Sequence, residues 1–270
     1  MRKTVIIQLT LERIVRVVLF CLVLVYPFAD ARAMDPGQRT AAPNVLRVGV
    51  NPNKPPLIFE RNGVIVGAEA DLALKLAGSM GKTLVTYLDF EWEELIPALL
   101  DGKIDIIMSG MTATTARTTL ISFSADYLIS GQIAMVPGKF QGNYPNADSI
   151  IHCKARVGVE KGTTGDFLVQ QKFINAQRIP FDSPSKAVQA MLAGEIDMLV
   201  HDAPIIWWMA SEKKAEGLAS VPFLLTREKI AWGIRHSDKA LLQAANSFLA
   251  DCKNDGRLRL IMKKWIPSLP

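Results

Sequence analysis

The chain has 270 residues, with 31 lysines and arginines against 26 aspartates and glutamates. That length suffices for two modest domains, each with its own hydrophobic core. Five of the basic and two of the acidic residues fall within the first 33 positions, so residues 34–270 carry 26 basic and 24 acidic residues, a formal charge of +2. This near-neutral balance, with no basic run interleaved with aromatic residues, argues against a nucleic-acid partner.

The first 33 residues have the three parts of a secretory signal peptide. Basic residues occur at positions 2, 3, 13 and 16, an apolar run follows at 17–28, and Ala-Arg-Ala at 31–33 fits a signal-peptidase site. An uncleaved membrane anchor is the alternative, but about a dozen apolar residues are fewer than an ordinary membrane-spanning helix needs. We therefore predict that residues 1–33 direct export and are removed.

Residues 34–44 are polar, contain Pro and Gly, and predict a flexible lead-in. The first unit of regular structure follows in the order strand, hairpin, helix, strand, helix, strand. We place these elements at 46–50, 58–59 with 64–66, 68–80, 84–88, 93–100 and 104–108. The last segment is continuously apolar, which is typical of a strand buried on both faces of a parallel sheet.

The chain continues with a short helix at 114–119, an extended segment at 121–127 and a strand at 132–136 that leads into a Pro-Gly linker. A second unit is predicted over 138–229. A returning strand at 229–235 and two amphipathic helices, at 239–252 and 256–265, complete the pattern. This order predicts two α/β lobes, 45–137 with 230–270 and 138–229, joined by two crossing segments that act as a hinge.

The two units repeat one another. Residues 46–50 (LRVGV) match 155–159 (ARVGV), and 96–110 match 188–202 with five identities, at Ala98/Ala190, Leu100/Leu192, Gly102/Gly194, Ile104/Ile196 and Asp105/Asp197. Ligands of open α/β sheets bind outside the carboxyl ends of the strands. The loops after the matched strands, 109–112 and 201–203, should therefore face one cavity from opposite sides. The alternative is a generic likeness between strand–helix units, which would not require the shared turn glycine and Asp.

Several motifs in a fixed order carry a family resemblance. They are LRVGV followed by PP, NGVIVGAEADLALKLA, IDIIMSGMTATTARTTLISFSADYLISGQ, VGVEKGTTGDF and GEIDMLVHDAP, within residues 45–267. Together they resemble the periplasmic solute-binding proteins of family 3, the polar amino-acid receptors of ABC importers. The resemblance implies an α/β protein with the type II periplasmic-binding-protein fold, whose two lobes are joined by a two-strand hinge. It further implies a monomer without a cofactor that passes an amino acid or related zwitterion to a membrane permease.

An amino acid presents a carboxylate and an ammonium group, so its receptor needs an anion site and a cation site that converge. Arg117 is the candidate for the carboxylate, because a planar guanidinium can grip it with two parallel hydrogen bonds. It begins a helix after the loop that ends a buried strand, where the family's carboxylate-binding Arg lies. Asp202, which follows the matching strand of the second unit, is the candidate for the ammonium. The alternatives are a surface Arg and a helix N-cap Asp.

Neighbouring residues complete the predicted anion site. In the first unit Thr112 would add a hydroxyl, and Ser109 and Gly110 would add backbone groups. In the second unit Thr163 and Thr164 belong to a Gly-Thr-Thr-Gly segment before a helix, whose free N–H groups attract anions. Such a segment is also an ordinary N-cap signal, and that alternative stays open.

Three positions bear on the side chain of the ligand. Lys54 stands where amino-acid receptors of the family commonly have an aromatic residue, and Asn51 where receptors for basic amino acids tend to have an acid. Trp92 keeps an aromatic residue on the opposite wall. An ammonium at Lys54 would repel a cationic ligand, whereas Trp92 would attract one. We expect the repulsion to dominate and to favour a polar or acidic amino acid, unless Lys54 points to solvent.

Two further functions stay open. The resemblance extends to periplasmic dehydratases of prephenate- or arogenate-like substrates, which need a general acid in the cleft, and Glu160 and His201 are the candidates. A ligand-sensing module that reports to a membrane receptor is the other. The motifs contain no nucleophile–base pair and no metal-ligand spacing. We therefore predict a binding protein rather than an enzyme, with no bound metal.

The cysteine pattern gives no sign of a disulfide framework. An exported protein is permitted disulfides, and Cys153 and Cys252 follow the predicted signal peptide. Cys153 opens the second unit, whereas Cys252 lies in a helix assigned to the first. We expect both thiols to be unpaired.

Overall fold

The computed structural model describes residues 44–267. The predicted signal peptide and all but the last residue of the lead-in lie outside this range. The strands are β1 (Val45–Val50), β2 (Asn53–Lys54), β3 (Ile58–Arg61), β4 (Val64–Val66), β5 (Leu84–Asp89), β6 (Ile106–Ile107), β7 (Ser122–Phe123), β8 (Leu128–Ser130), β9 (Gln132–Pro137), β10 (Arg156–Glu160), β11 (Gln177–Phe181), β12 (Met198–Asp202), β13 (Leu218–Ser220), β14 (Glu228–Ile230) and β15 (Gly233–Ile234).

The helices are α1 (Ala68–Ser79), α2 (Leu95–Leu100), α3 (Thr115–Thr118), α4 (Ala147–Ile151), α5 (Thr164–Lys172), α6 (Pro184–Leu192), α7 (Ala203–Glu212), α8 (Lys239–Asn254) and α9 (Arg257–Trp265). Turns of 3₁₀ helix occur at Trp92–Glu94 and Gly138–Asn143. Within residues 44–267, no helix combines the length and the apolar character needed to cross a membrane.

Two five-stranded sheets have the same construction. The first has the order β5-β1-β6-β15-β7 and the second β11-β10-β12-β9-β13. In each sheet the first three strands are parallel, and the fourth runs antiparallel to both of its neighbours. We call the first sheet with α1, α2, α3, α8 and α9 the first lobe, and the second sheet with α5, α6 and α7 the second lobe.

The internal repeat of the sequence is also a repeat of contacts. In the first lobe, Asp105 accepts hydrogen bonds from the backbone N–H of Arg47 at 2.9 Å and from its guanidinium at 2.6 Å. In the second lobe, Asp197 accepts the same two bonds from Arg156, at 2.8 and 2.7 Å. Each Asp thus fixes the segment that leads into the third strand of its unit against the first strand. This common role explains why both units have an Asp at this position.

A close contact between a strand glycine and an isoleucine side chain also occurs in both lobes. A Cβ atom on Gly49 would overlap Cδ1 of Ile104, and one on Gly158 would overlap Cδ1 of Ile196. A larger residue at either position would force the isoleucine side chain to move, so glycine lets β1 and β10 lie close to the isoleucine that precedes the neighbouring strand. The loops that follow these strands then come out at the same edge of each sheet, where the cleft lies.

The crossing segments differ from the boundaries expected from the sequence. Strand β9, assigned above to the first lobe, pairs with β12 in the second sheet. The strand expected at 229–235 is split, because β14 pairs with β8 while β15 pairs with β6. Trp232 lies in this break, fully buried and stacked between Tyr127 and Phe248 at centroid distances of 5.8 and 6.2 Å. The antiparallel pair β8–β14 therefore forms the two-stranded crossing between the sheets.

Both cysteines of the described chain are free. Cys252 is fully buried in the core of the first lobe, and Cys153 packs against the core of the second. They lie in different lobes, as the sequence indicates.

Candidate ligand-binding cleft

Arg117 extends from α3 of the first lobe into the space between the lobes. The helix begins after Thr114, whose hydroxyl accepts the backbone N–H of Arg117 at 3.2 Å. The guanidinium donates to the carbonyl of Thr112 at 3.0 Å and to that of Gly162, in the second lobe, at 3.3 Å. Its central carbon lies 5.2 Å from the centre of the Trp92 ring. Arg117 is thus a partly buried cation that contacts both lobes, not a side chain on an outer helix surface.

Asp202 faces the same space from the second lobe. It ends β12 and is only 7% exposed. Asp202 occupies the N-cap position of α7, but its side chain makes no capping hydrogen bond there. Instead Oδ1 accepts a hydrogen bond of 2.7 Å from Nε2 of Gln132. The carboxylate is therefore directed at the cleft rather than at the end of its own helix.

The carboxylate of Asp202 acts on the guanidinium of Arg117. Burial lowers the pKa of Arg117, and the carboxylates of Asp202 and Glu228 oppose that shift. Burial likewise raises the pKa of Asp202, Glu228 adds to the rise, and Lys54 opposes it. A guanidinium and a carboxylate from opposite lobes thus share one poorly hydrated space, which is the arrangement that a zwitterionic ligand requires.

Two polar residues of the crossing segments, Gln132 and Glu228, belong to the same cluster, and no motif in the sequence identifies them. Oε2 of Glu228 accepts the hydroxyls of Thr112 at 2.8 Å and Thr164 at 2.9 Å, and Oε1 accepts that of Thr226 at 2.7 Å. Because Thr112 and Thr164 come from different lobes, Glu228 ties a hydroxyl of each lobe to the crossing. The only sequence signal of Gln132 and Glu228 is that each is a polar residue within a short crossing segment.

Lys54 makes the most deeply buried contact between the lobes. Its side chain is 1% exposed, and its ammonium forms an ion pair with Glu160 of the second lobe. The same ammonium lies 4.5 Å from the centre of the Trp92 ring. The alternative that Lys54 points to solvent is therefore wrong. Lys54 spans the cleft, and its charge is already balanced by a carboxylate.

His201 completes this ion pair. Its Nδ1 accepts the backbone N–H of Asp202 at 2.7 Å, so we assign the proton of a neutral ring to Nε2. Nε2 in turn donates to Oε2 of Glu160 at 2.7 Å. Burial alone would raise the pKa of Glu160, but Lys54 and His201 together bring it well below its ordinary value.

Ser109 and Asn51 support the loop that follows β1. The hydroxyl of Ser109 accepts the backbone N–H of Asn51 at 2.9 Å. The side-chain amide of Asn51 donates to the carbonyl of Phe90 at 3.0 Å. Both residues are buried, and these bonds fix the start of the loop that carries Lys54.

Two of the residues expected to bind an anion are instead bonded within the protein. The N–H of Gly110 donates to Oε2 of the buried Glu69 at 2.7 Å, so it is not free for a ligand. The hydroxyl of Thr163 accepts the N–H of Asp166 at 3.3 Å as the N-cap of α5. For Thr163 the N-cap alternative is therefore the observed role.

A cavity of about 810 Å³ opens beside Arg117. Trp92, Thr115 and Arg117 line it from the first lobe, and Gly162 and Thr164 line it from the second. Nε1 of Trp92 also donates to the carbonyl of Gly162 at 3.0 Å. The lobes thus touch at the edge of the cavity, and a ligand held there would contact both.

Comparison with known proteins identifies the same family as the sequence motifs. Residues 46–268 match the model of the bacterial extracellular solute-binding proteins, family 3. A glutamine-binding protein of an ABC transporter from Bacillus subtilis (strain 168) is 29% identical over 211 residues, which cover 77% of this chain and 76% of that protein.

Solved structures show that the similarity extends from the sequence to the fold. An ancestral amino-acid-binding protein, described as a precursor of cyclohexadienyl dehydratase, superposes with a TM-score of 0.76 at 31% identity, over 83% of this chain and 96% of that one. A mutant of ArgBP from T. maritima gives 0.75 at 31% identity, over 82% and 95%. The type II periplasmic-binding-protein fold expected from the sequence is thereby confirmed. The chain belongs to the bacterial extracellular solute-binding proteins of family 3.

Proposed function

We propose that the protein captures an amino acid in the cleft and delivers it to the permease of an ABC importer. The observation that carries the proposal is that Arg117 and Asp202, one from each lobe, join one hydrogen-bonded cluster, Arg117 through Thr112 and Asp202 through Gln132, with Glu228 between them. Arg117 binds the carboxylate of the ligand and Asp202 its ammonium. The glutamine-binding relative from Bacillus subtilis supports this ligand class, since it resembles the chain over most of its length.

The same proposal covers export and assembly. Residues 1–33 direct the chain to the periplasm and are removed, and the mature protein acts as a monomer. Its lobes meet at the crossing strands β8 and β14, which serve as the hinge. Ligand contacts come from both lobes, so binding favours the closed state that makes all of them.

A thermal-shift screen of the purified protein tests the ligand class. A ligand at 100 times its Kd stabilises the folded state by about 2.7 kcal/mol, so at least one L-amino acid should raise the melting temperature. The matched analogues that lack either the α-carboxylate or the α-amino group should not. Equal shifts from these analogues, or no shift from any amino acid, would contradict a zwitterion site built on Arg117 and Asp202.

The likeness to a precursor of cyclohexadienyl dehydratase gives the enzyme alternative a specific basis, and we expect no turnover. A general acid must hold a proton at neutral pH. The pKa of Glu160 is lowered because Lys54 and His201 outweigh the effect of burial, so this group is a carboxylate. Prephenate or arogenate should remain unchanged on incubation with the protein, as followed by chromatography. Product that increases with protein concentration and disappears in Glu160→Gln would contradict this expectation.

A further inference from the structure

We propose that Asp202 and Glu228 form a two-carboxylate seat that makes the cleft select a ligand of net positive charge, a basic amino acid. The inference deepens the proposed function and rests on it, since it concerns the same cleft. It assigns a specificity-determining role to Glu228, which lies on the crossing strand β14 rather than in the loops that hold Arg117 and Asp202.

One amide nitrogen holds the two carboxylates side by side. Nε2 of Gln132 donates to Oδ1 of Asp202 at 2.7 Å and also lies 3.4 Å from Oε2 of Glu228. The two oxygens are therefore no further apart than the sum of these distances. A cationic group of a ligand that approaches one carboxylate therefore also meets the negative charge of the other.

Glu228 also takes the hydroxyl groups that the sequence assigns to the carboxylate of the ligand. Thr112 and Thr164 both donate to its Oε2, at 2.8 and 2.9 Å. A ligand carboxylate is then left with Arg117 as its partner, and it lies near a second negative charge. An anionic ligand is therefore disfavoured, whereas a ligand with an additional positive charge is attracted.

The charges of the described cleft leave an excess of one carboxylate. Glu160 neutralises Lys54 in a buried ion pair, so neither charge is available to the ligand. The remaining guanidinium, that of Arg117, faces Asp202 and Glu228. A zwitterion leaves this imbalance unchanged, and one further positive charge on the ligand removes it. The repulsion expected from Lys54 in the sequence analysis loses its basis, because Lys54 is paired.

The unpaired hydrogen-bonding groups of the cleft also favour a cationic ligand. Two neutral cleft residues have a buried side-chain oxygen without a partner in the described structure, namely Oδ1 of Asn51 and Oε1 of Gln132. Both atoms are acceptors, so these two residues lack donors rather than acceptors. A guanidinium or ammonium side chain supplies N–H donors, which a carboxylate side chain does not.

L-Arginine and L-citrulline isolate the charge, because their side chains have nearly the same shape and differ in charge. In calorimetry the wild-type protein should bind arginine at least about ten-fold more tightly than citrulline. Glu228→Gln should reduce this ratio by about ten-fold, since glutamine keeps the size and an acceptor oxygen for the two threonines. Glu195→Gln, at an exposed carboxylate of the second lobe, is the matched control and should leave the ratio unchanged.

The outcomes distinguish the failure of the charge selection from the failure of the proposed function. If the wild-type protein binds citrulline or L-glutamate as tightly as arginine, the charge selection is overturned and the proposed function stands. The same follows if Glu228→Gln is folded, as judged by thermal unfolding, and keeps the wild-type ratio. If that variant does not fold, the wild-type ratio alone decides. If no amino acid binds the wild-type protein, both proposals are overturned.

Discussion

Replacing Arg117 with alanine is expected to weaken amino-acid binding by about 2–5 kcal/mol, which corresponds to an increase in Kd of about thirty-fold to several thousand-fold. The substitution leaves the ligand carboxylate desolvated and without its paired donors. It also leaves Asp202 and Glu228 without the cation that they face. Calorimetry with the amino acid found in the thermal-shift screen measures the effect.

The fold should survive this change, because the guanidinium of Arg117 donates to two backbone carbonyls at the cleft, those of Thr112 and Gly162, and the backbone bonds of Arg117 are kept in alanine. Arg117→Lys keeps the charge but loses the planar fork, so its affinity should lie between those of the wild type and Arg117→Ala. Arg259→Ala, at an exposed position of α9, is the control for the loss of an arginine. Undiminished affinity in Arg117→Ala would show that the ligand carboxylate binds elsewhere.

The lobes could be predicted from the sequence because their signals are local. Turn glycines and apolar periodicity place most elements of the first unit, and the two C-terminal helices, within a few residues of their observed positions. The strand expected at 104–108 is an instructive exception. Residues 104–111 are all buried, but regular pairing is confined to Ile106–Ile107, between β1 and the two-residue β15. The buried segment is longer than the hydrogen-bonded strand. An apolar run in the sequence does not distinguish residues that are only buried from residues that pair in the sheet.

The cleft could be predicted only in part because its contacts join residues far apart in the chain. Arg117 and Asp202 follow repeated strands, so the internal repeat points to both. Lys54 and Glu160 are separated by 106 positions, and Gln132 and Glu228 by 96. No local pattern pairs them, and each comes from a different segment. From the sequence alone, the charge of Lys54 is therefore considered without its partner Glu160.

Removing the charge of Glu160 is expected to open the cleft. In the closed protein Lys54 is 1% exposed, and taking away one partner of a buried ion pair costs about 3–5 kcal/mol. Because the lobes can separate and let water reach Lys54, we expect this cost to act on closure rather than on folding. Glu160→Gln should then shift the equilibrium between closed and open states by about two to four orders of magnitude toward the open state.

Small-angle scattering without ligand measures this shift. The wild-type protein should be compact, since its lobes already touch through Lys54, Trp92 and Arg117, and Glu160→Gln should have a larger radius of gyration. Glu93→Gln is the matched control. Its partner Lys161 also belongs to the other lobe, at 2.9 Å, but both side chains are more than half exposed. Exposed pairs contribute little, so the radius of this variant should equal that of the wild type.

A second substitution and a pH series separate the ion pair from other effects. Lys54→Met added to Glu160→Gln removes both charges, so the double variant should return toward the compact form because no buried charge is left unpaired. The pKa of Glu160 is lowered from 4.5 to about 2, since Lys54 and His201 outweigh burial. Its contribution to closure is therefore complete above the ordinary value and is lost only as pH falls toward about 2. The ion pair should therefore cause no change in the wild-type radius between about pH 5 and about pH 8. A ligand-free wild type as expanded as Glu160→Gln would mean that the Lys54–Glu160 pair does not hold the lobes together.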